Sequence, residues 1–242
     1  ELDRAGDDIS LADYTSKAIE LLDNENGFFM MVEGGKIDWA CHANDAAPAI
    51  YDTIAFDNTV REALDFYKAH PEETLIVVTG DHECGGMNHG FAGTKYQTAF
   101  ELVGKQKKSA TDYFADELLA KYRESGMKVS EDQLFDVVEE HFGLVKLSAK
   151  ERAALEAQAK AGDSKTEETL KLALTEYEIN QIRRAFVRSM GGEVEKSANE
   201  ETYLLYGGYD PLAVSLSHIL NQKAGIGWTS YKHTGVPVPT FA

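Results

Sequence analysis

Two short stretches of this chain end in side chains that could bind metal ions. In FFMMVEGGKIDWACHAN, an apolar run leads to Asp38 and His42, which stand four positions apart. In TLIVVTGDH, a second apolar run ends at the adjacent Asp81 and His82. Imidazole and carboxylate groups are both ligands of zinc, and a catalytic zinc keeps one further position open. The two stretches together predict a metal site.

Two more residues extend this prediction. His233 lies in a loop-like segment with a glycine close behind it, and it is the candidate third ligand beside Asp38 and His42. Glu33 precedes two glycines, and its carboxylate suits a hard ion such as magnesium. Asp-x3-His alone is more often a pair of exposed polar residues, and Asp-His after a strand is often a helix cap. Their joint occurrence after two neighbouring apolar runs favours the metal site.

The remaining histidines and the two cysteines are not included among the predicted metal ligands. Four histidines have no matching context and are interpreted as structural or exposed: His70, His89, His141 and His218. Cys84 is interpreted as packing beside the site rather than binding the metal. A disulfide between Cys41 and Cys84 requires the two loops to touch, and two cysteines make no disulfide framework.

The elements that must position these residues resemble part of an α/β sheet. The apolar runs at residues 28–32 and 75–78 show no polar alternation, which is typical of strands buried on both faces of a parallel sheet. A helix predicted at residues 45–69 connects them. Ligands of such sheets gather beyond the carboxyl ends of the strands. We therefore predict an α/β fold with a mostly parallel sheet flanked by helices, and with the ligands on loops.

Most other helices are predicted from their end signals. Residue pairs typical of capping boxes mark four helix starts: Ser10 with Asp13, Ser130 with Gln133, Ser148 with Glu151, and Thr175 with Glu178. Asp210 followed by Pro211 predicts a helix through Leu220, and a further helix is predicted to begin at Thr111 and Asp112. Glycines are predicted to end three helices: Gly126, Gly143, and the pair Gly191 and Gly192.

These signals divide the chain into three segments. Residues 1–93 are predicted to form an α/β core segment that carries metal-ligand loops. Residues 94–204 are predicted to be a mainly helical insertion, because no convincing buried strand occurs there. Residues 205–242 are predicted to return to the α/β core with the last metal ligand.

Composition excludes several classes of partner. The formal net charge is −17, which argues against a broad basic surface for nucleic acid. A small anionic substrate needs a local reversal of this field, for which metal ions are the simplest source. No apolar run approaches the roughly 20 residues of a membrane-spanning helix. The first residues lack the features of a signal peptide, but an exported protein without its leader would look the same.

The motifs together resemble a known family. VEGGKID, His42, VVTGDH and the terminal HTGVPV are similar to the carboxyl-terminal half of alkaline phosphatases, over residues 10–87 and 206–242. The resemblance implies one zinc bound by Asp38, His42 and His233. It implies a second zinc bound by Asp81 and His82, and a magnesium ion bound by Glu33.

By the same resemblance, the full-length protein is a phosphomonoesterase. It would hydrolyse small phosphate monoesters with two zinc ions, one magnesium ion and a phosphoserine intermediate, in the periplasm or outside the cell, and the family is compatible with a homodimer. The family's nucleophilic serine belongs to the amino-terminal half, which this sequence does not contain, so the fragment alone is expected to be inactive. Ser164 follows Asp163 in a linker-like segment and is not accepted as the nucleophile. Trp39 and Cys84 stand where family members often carry polar residues.

Two other hypotheses remain. The first is a related phosphodiesterase or sulfatase of the same superfamily, against which Glu33 argues because a magnesium position belongs to the monoesterase pattern. The second is a non-catalytic metal-binding interaction module built around residues 94–201.

Overall fold

The computed structural model describes residues 1–94, 96–191 and 200–242. Its helices are α1 (Leu11–Leu22), α2 (Gly35–His42), α3 (Ala46–Ala69), a 3-10 helix (Phe100–Lys105), a π-helix (Ala110–Leu119), α4 (Ala120–Ser125), α5 (Glu131–Phe142), α6 (Ala149–Lys160), α7 (Ser164–Leu172), α8 (Glu176–Met190), α9 (Glu200–Tyr206) and α10 (Pro211–Ala224). Its strands are β1 (Val78–Thr79), β2 (Glu83–Cys84), β3 (Asn88–His89), β4 (Ile226–Gly227), β5 (His233–Thr234) and β6 (Thr240–Phe241).

The helix ends follow the local signals closely. All four predicted capping boxes are confirmed, and in each the hydroxyl oxygen accepts from the backbone N–H three residues on. Asp210 caps α10, which continues beyond the expected Leu220 to Ala224. Gly126 and Gly143 end their helices in the left-handed conformation. The helix expected at Thr111 begins at Ala110 as a π-helix, and Gly192 lies outside the described residues.

The loop expected around Asp38 is wrong, because this segment is the helix α2. Its local signals are weak, because Gly34 provides no side-chain cap and an isolated helix of eight residues is marginal in water. Packing against α3 compensates for this weakness. Ala40, in α2, is 8% exposed, and Ala43, at the corner between α2 and α3, is 1% exposed. Tertiary burial therefore makes a helix where the local sequence suggests a loop.

The expected mostly parallel sheet is not confirmed. The three strand pairs of the described residues, β1 with β6, β2 with β5 and β3 with β4, are all antiparallel and two residues long. Residues 28–32 form no strand, and only Val78 of the expected strand at 75–78 does so. Phe29, Met31 and Leu75 are 90%, 75% and 79% exposed. Each run thus has one covered face, and a strand requires a neighbour with which to form hydrogen bonds.

The hydrophobic core is centred on α10. Leu212, Leu216 and Leu220 are fully buried, and the helix packs against α8, the 3-10 helix and the π-helix. The same core includes Ala46 and Ala47 of α3, so it takes residues from all three predicted segments. The division at residues 93 and 204 stays a prediction. No helix in the described part of the chain is both long and apolar enough to cross a membrane.

Asp45 links the first segment to the helical one. Its side chain does not cap its own helix α3 but accepts hydrogen bonds from the Ala110 backbone N–H and from Gln106 Nε2, each at 2.7 Å. Asp45 is 1% exposed, and this burial raises the pKa of its carboxyl to about 7.

The raised pKa of Asp45 predicts a pH-dependent stability. Between about pH 4, where an unfolded aspartate titrates, and about pH 7, the folded state binds more protons at this site than the unfolded state. The free energy of unfolding should therefore fall as pH rises, by up to about 1.4 kcal/mol per pH unit. Urea unfolding of wild type and Asp45→Asn measures the difference. Identical pH slopes for the two proteins would contradict the assignment.

Candidate metal site

Helix α2 presents two of the predicted ligands together. Asp38 and His42 are four residues apart, and such residues lie on the same face of a helix. Asp38 Oδ2 is 3.4 Å from His42 Nε2. The helix thus holds the Asp38 and His42 side chains close together, whereas a loop would not fix their spacing.

The β2–β5 pair brings the distant His233 to this face. In its register, Cys84 stands opposite His233. His233 Nε2 lies 3.1 Å from His42 Nε2 and 3.4 Å from Asp38 Oδ1. The structure therefore brings together the three residues predicted to share one zinc, while their role as ligands stays a prediction.

The orientation of His42 directs its Nε2 into this group. His42 Nδ1 lies 2.7 Å from the Tyr231 carbonyl oxygen, which only accepts hydrogen bonds. Nδ1 therefore donates a hydrogen bond to this carbonyl. Asp38 Oδ1 is buried without a hydrogen-bond partner among the described residues. Two imidazoles and a carboxylate this close together form a setting for a cation, and the backbone contact to Tyr231 is typical of metal-bound histidines.

Asp81 and His82 lie beside the group. The His82 ring stacks on the His233 ring at a centroid distance of 3.4 Å, and His82 Nε2 is 3.2 Å from Asp81 Oδ2. His82 Nδ1 is buried and has no hydrogen-bond partner in the described part of the chain. The side chain of Asp81 is 84% exposed. The structure thus places the pair next to the first three residues but does not join it to them.

Glu33 lies apart from these residues. It is exposed and precedes α2 with one residue between. It is not part of the group of potential metal ligands found among the described residues, which consists of Asp38, His42, Cys84 and His233. The magnesium assignment stays a prediction.

Cys84 is the functional candidate that sequence reasoning placed outside the ligand set. One donor atom from each of the four residues, including Cys84 Sγ, lies within 4.8 Å of the others. The thiol contacts the Asp38 backbone oxygen at 3.6 Å, and burial, followed by the interaction with Asp38, raises its pKa. Both Cys41 and Cys84 are free. The available signal was positional, because Cys84 follows His82 by two residues and so faces the same side of an extended chain.

Asn44 holds the two halves of the site together. It is 2% exposed and adopts a left-handed conformation with φ 54° at the corner between α2 and α3. Its Nδ2 donates to the carbonyl oxygens of Cys41 and Ser230 at 3.0 and 2.8 Å. Its Oδ1 lies 3.1 Å from Nε2 of His218, whose pKa burial lowers to about 4. His218 is therefore neutral near pH 7 and serves as a structural hydrogen-bond partner.

Comparison with known proteins extends these observations. The sequence is 29% identical over 242 residues to alkaline phosphatase 4 of Bacillus subtilis, covering 100% of this chain and 40% of that protein. It is 27% identical over 231 residues to the repressible alkaline phosphatase of Saccharomyces cerevisiae, covering 93% and 33%. With alkaline phosphatase H of Pseudomonas aeruginosa it shares 51% identity over 80 residues, covering 33% and 17%.

The fold agrees with these relatives. The crystal structure of a cold-active alkaline phosphatase from the psychrophile Shewanella sp. superposes with a TM-score of 0.58 at 24% identity, covering 99% of this chain and 46% of that one. This supports an alkaline phosphatase-like fold. The chain spans less than half the length of these proteins. Residues 1–242 match the family described as alkaline phosphatase, and the chain therefore belongs to the alkaline phosphatase family.

Proposed function

We propose that this chain is the carboxyl-terminal part of a metal-dependent phosphomonoesterase and contributes most of its metal ligands. The observation that carries the proposal is the convergence of Asp38, His42 and His233, whose nearest donor atoms lie 3.1 to 3.4 Å apart. Asp38 Oδ1 has no other hydrogen-bond partner among the described residues, and the contact of His42 Nδ1 with the Tyr231 carbonyl turns Nε2 toward Asp38 and His233. These donors fit zinc.

We assign the predicted ligands to three metal ions. Asp38, His42 and His233 would hold one zinc, Asp81 and His82 a second, and Glu33 a magnesium ion with ligands from elsewhere in the full-length protein. Bound there, the ions would supply charge stabilisation for phosphoryl transfer through a phosphoserine of the full-length protein. The Tyr231 carbonyl accepts a hydrogen bond from His42 Nδ1, and this contact would orient Nε2 toward the metal. The substrates would be small phosphate monoesters.

Zinc titration of the chain tests the proposal. We expect one tighter site, and His233→Ala should weaken it by more than about 100-fold, since removing a direct ligand should exceed the 10–100-fold typical of losing an outer partner. His89→Ala is the matched control, because this exposed histidine also lies in a two-residue strand but outside the group. Absence of zinc binding, or equal zinc affinity for wild type and His233→Ala, would refute the proposal.

Activity measurements separate the reaction classes. The chain alone should not hydrolyse a phosphate monoester, because we propose that the nucleophile belongs to the rest of the protein. The full-length protein should hydrolyse a monoester in preference to a diester, and the reverse preference would favour the phosphodiesterase alternative. Export from the cytoplasm and a homodimeric assembly belong to the same proposal, and fractionation and sedimentation of the full-length protein test them.

A further inference from the structure

We infer that Cys84 is a fourth protein ligand of the zinc held by Asp38, His42 and His233, so that the resting metal in this protein is capped by a thiolate. This inference rests on the proposed function and deepens it. Its starting point is the β2–β5 register, which sets Cys84 directly opposite His233. Side chains that oppose each other in an antiparallel pair lie on the same face with Cβ atoms about 4.5–5.5 Å apart.

The four donor atoms lie close enough together to share one zinc ion after side-chain movement. Zinc binds nitrogen or oxygen at about 2.0–2.2 Å and sulfur at about 2.3 Å, and neighbouring donors of a tetrahedron then stand roughly 3.3–3.7 Å apart. The four donor atoms already lie within 4.8 Å of one another. Contraction of the widest separation by about 1.1–1.5 Å would bring the donors to these distances.

The scaffold supplies two ligands from each of two joined elements. Asp38 and His42 come from α2, while Cys84 and His233 come from the β2–β5 pair. Gly85 links the elements, because its N–H donates to the Lys232 carbonyl at 3.1 Å and it packs on the Cys41 backbone oxygen. The thiol therefore has little freedom to leave the group.

A thiolate in the fourth position changes what the metal can do. As the metal binds, the Cys84 S–H bond loses its proton to solvent and a sulfur–metal bond forms, with no change of oxidation state. Four protein ligands are typical of closed structural zinc sites, whereas catalytic sites keep a position open. In that arrangement, no position would be open to a substrate oxygen while Cys84 remained bound. The soft sulfur also favours zinc over hard divalent ions.

Cobalt(II) replacing zinc in this chain tests the inference, because cobalt–thiolate bonds give a near-ultraviolet charge-transfer band and tetrahedral cobalt gives visible d–d bands. We expect both bands in wild type. Cys84→Ser should lose the near-ultraviolet band, keep the visible bands, and bind zinc more than about 100-fold more weakly, as for the loss of another direct ligand. Cys41→Ser is the matched control, since this free cysteine on α2 lies outside the group, and it should keep both.

The outcomes are distinguishable. Visible bands that depend on His233, without a near-ultraviolet band, would overturn the role of Cys84 and leave the proposed metal site intact. If Cys41→Ser lost the near-ultraviolet band and Cys84→Ser kept it, Cys41 would be the thiolate ligand, and this result would overturn the inference. No cobalt binding at all would overturn the proposed function together with it. Matching far-ultraviolet circular dichroism of the serine variants excludes misfolding as the cause.

Discussion

Gly85→Ala is expected to lower the free energy of unfolding by about 2–5 kcal/mol and to disrupt the metal site. A Cβ atom at this position would lie 2.6 Å from the Cys41 carbonyl oxygen and 2.7 Å from the Trp228 ring. The first contact is with backbone, which cannot rotate away. The residue also has φ 79°, a left-handed conformation that disfavours a side chain.

The effect should reach the metal because Gly85 joins the ligand-bearing elements. Its carbonyl oxygen accepts from the N–H groups of Thr229 and Ser230, and its own N–H donates to Lys232. Relief of the clash therefore separates α2 from the segment that carries His233. Zinc affinity should fall by roughly 10- to 100-fold, as for the loss of other supporting contacts of a metal site.

Gly27→Ala separates crowding from conformation. Gly27 has a similar φ of 73°, but nothing lies within 4 Å of the position that a Cβ would occupy. This variant should lose only about 1–2 kcal/mol, the cost of the left-handed conformation itself, and should bind zinc normally. Urea unfolding and zinc titration measure both quantities. If Gly85→Ala proved as stable as Gly27→Ala, close packing at Gly85 would be refuted.

Asn44→Ala should lower the free energy of unfolding by about 2–4 kcal/mol. The change removes the hydrogen bonds to Cys41, Ser230 and His218 and leaves buried polar groups without partners. It also places alanine at φ 54°, a conformation that asparagine tolerates better. The zinc affinity should fall as well, because Ser230 precedes Tyr231, whose carbonyl orients His42.

A surface asparagine provides the control for this variant. Asn24 also donates from its amide to backbone carbonyl oxygens, those of Leu22 and Gly27, but in an exposed position. Asn24→Ala should change the free energy of unfolding by no more than about 0.5 kcal/mol. Comparable losses in the two variants would show that the buried connections of Asn44 do not stabilise the site.

Several features of this protein were readable from the sequence because their causes are local. A capping box requires one side chain and one backbone N–H three residues apart, and every predicted box is present. The cap of α10 by Asp210 has the same short range. Likewise, the sequence showed that Asp38 and His42 have side chains suited to zinc. It did not show that a helix carries them.

The tertiary structure decided how these residues meet. Residues 35–42 form a helix because α3 covers it, and a reading limited to local propensity could not include that burial. The apolar runs at residues 28–32 and 75–78 were interpreted as parts of a parallel sheet, but pairing depends on neighbouring strands that a pattern of residues does not contain. Exposed Phe29 and Leu75 mark the uncovered faces.

The proposed zinc ligands show most directly what the sequence determined and what the tertiary structure decided. The sequence alone determined that Asp38, His42 and His233 carry donor atoms fit for zinc, and that local signals start helices at defined residues. Only the β2–β5 register placed Cys84 opposite His233, and only the Tyr231 carbonyl oriented His42. The physical reason is range: chemical type and capping act within a few residues, whereas coordination geometry depends on contacts between residues far apart in the chain.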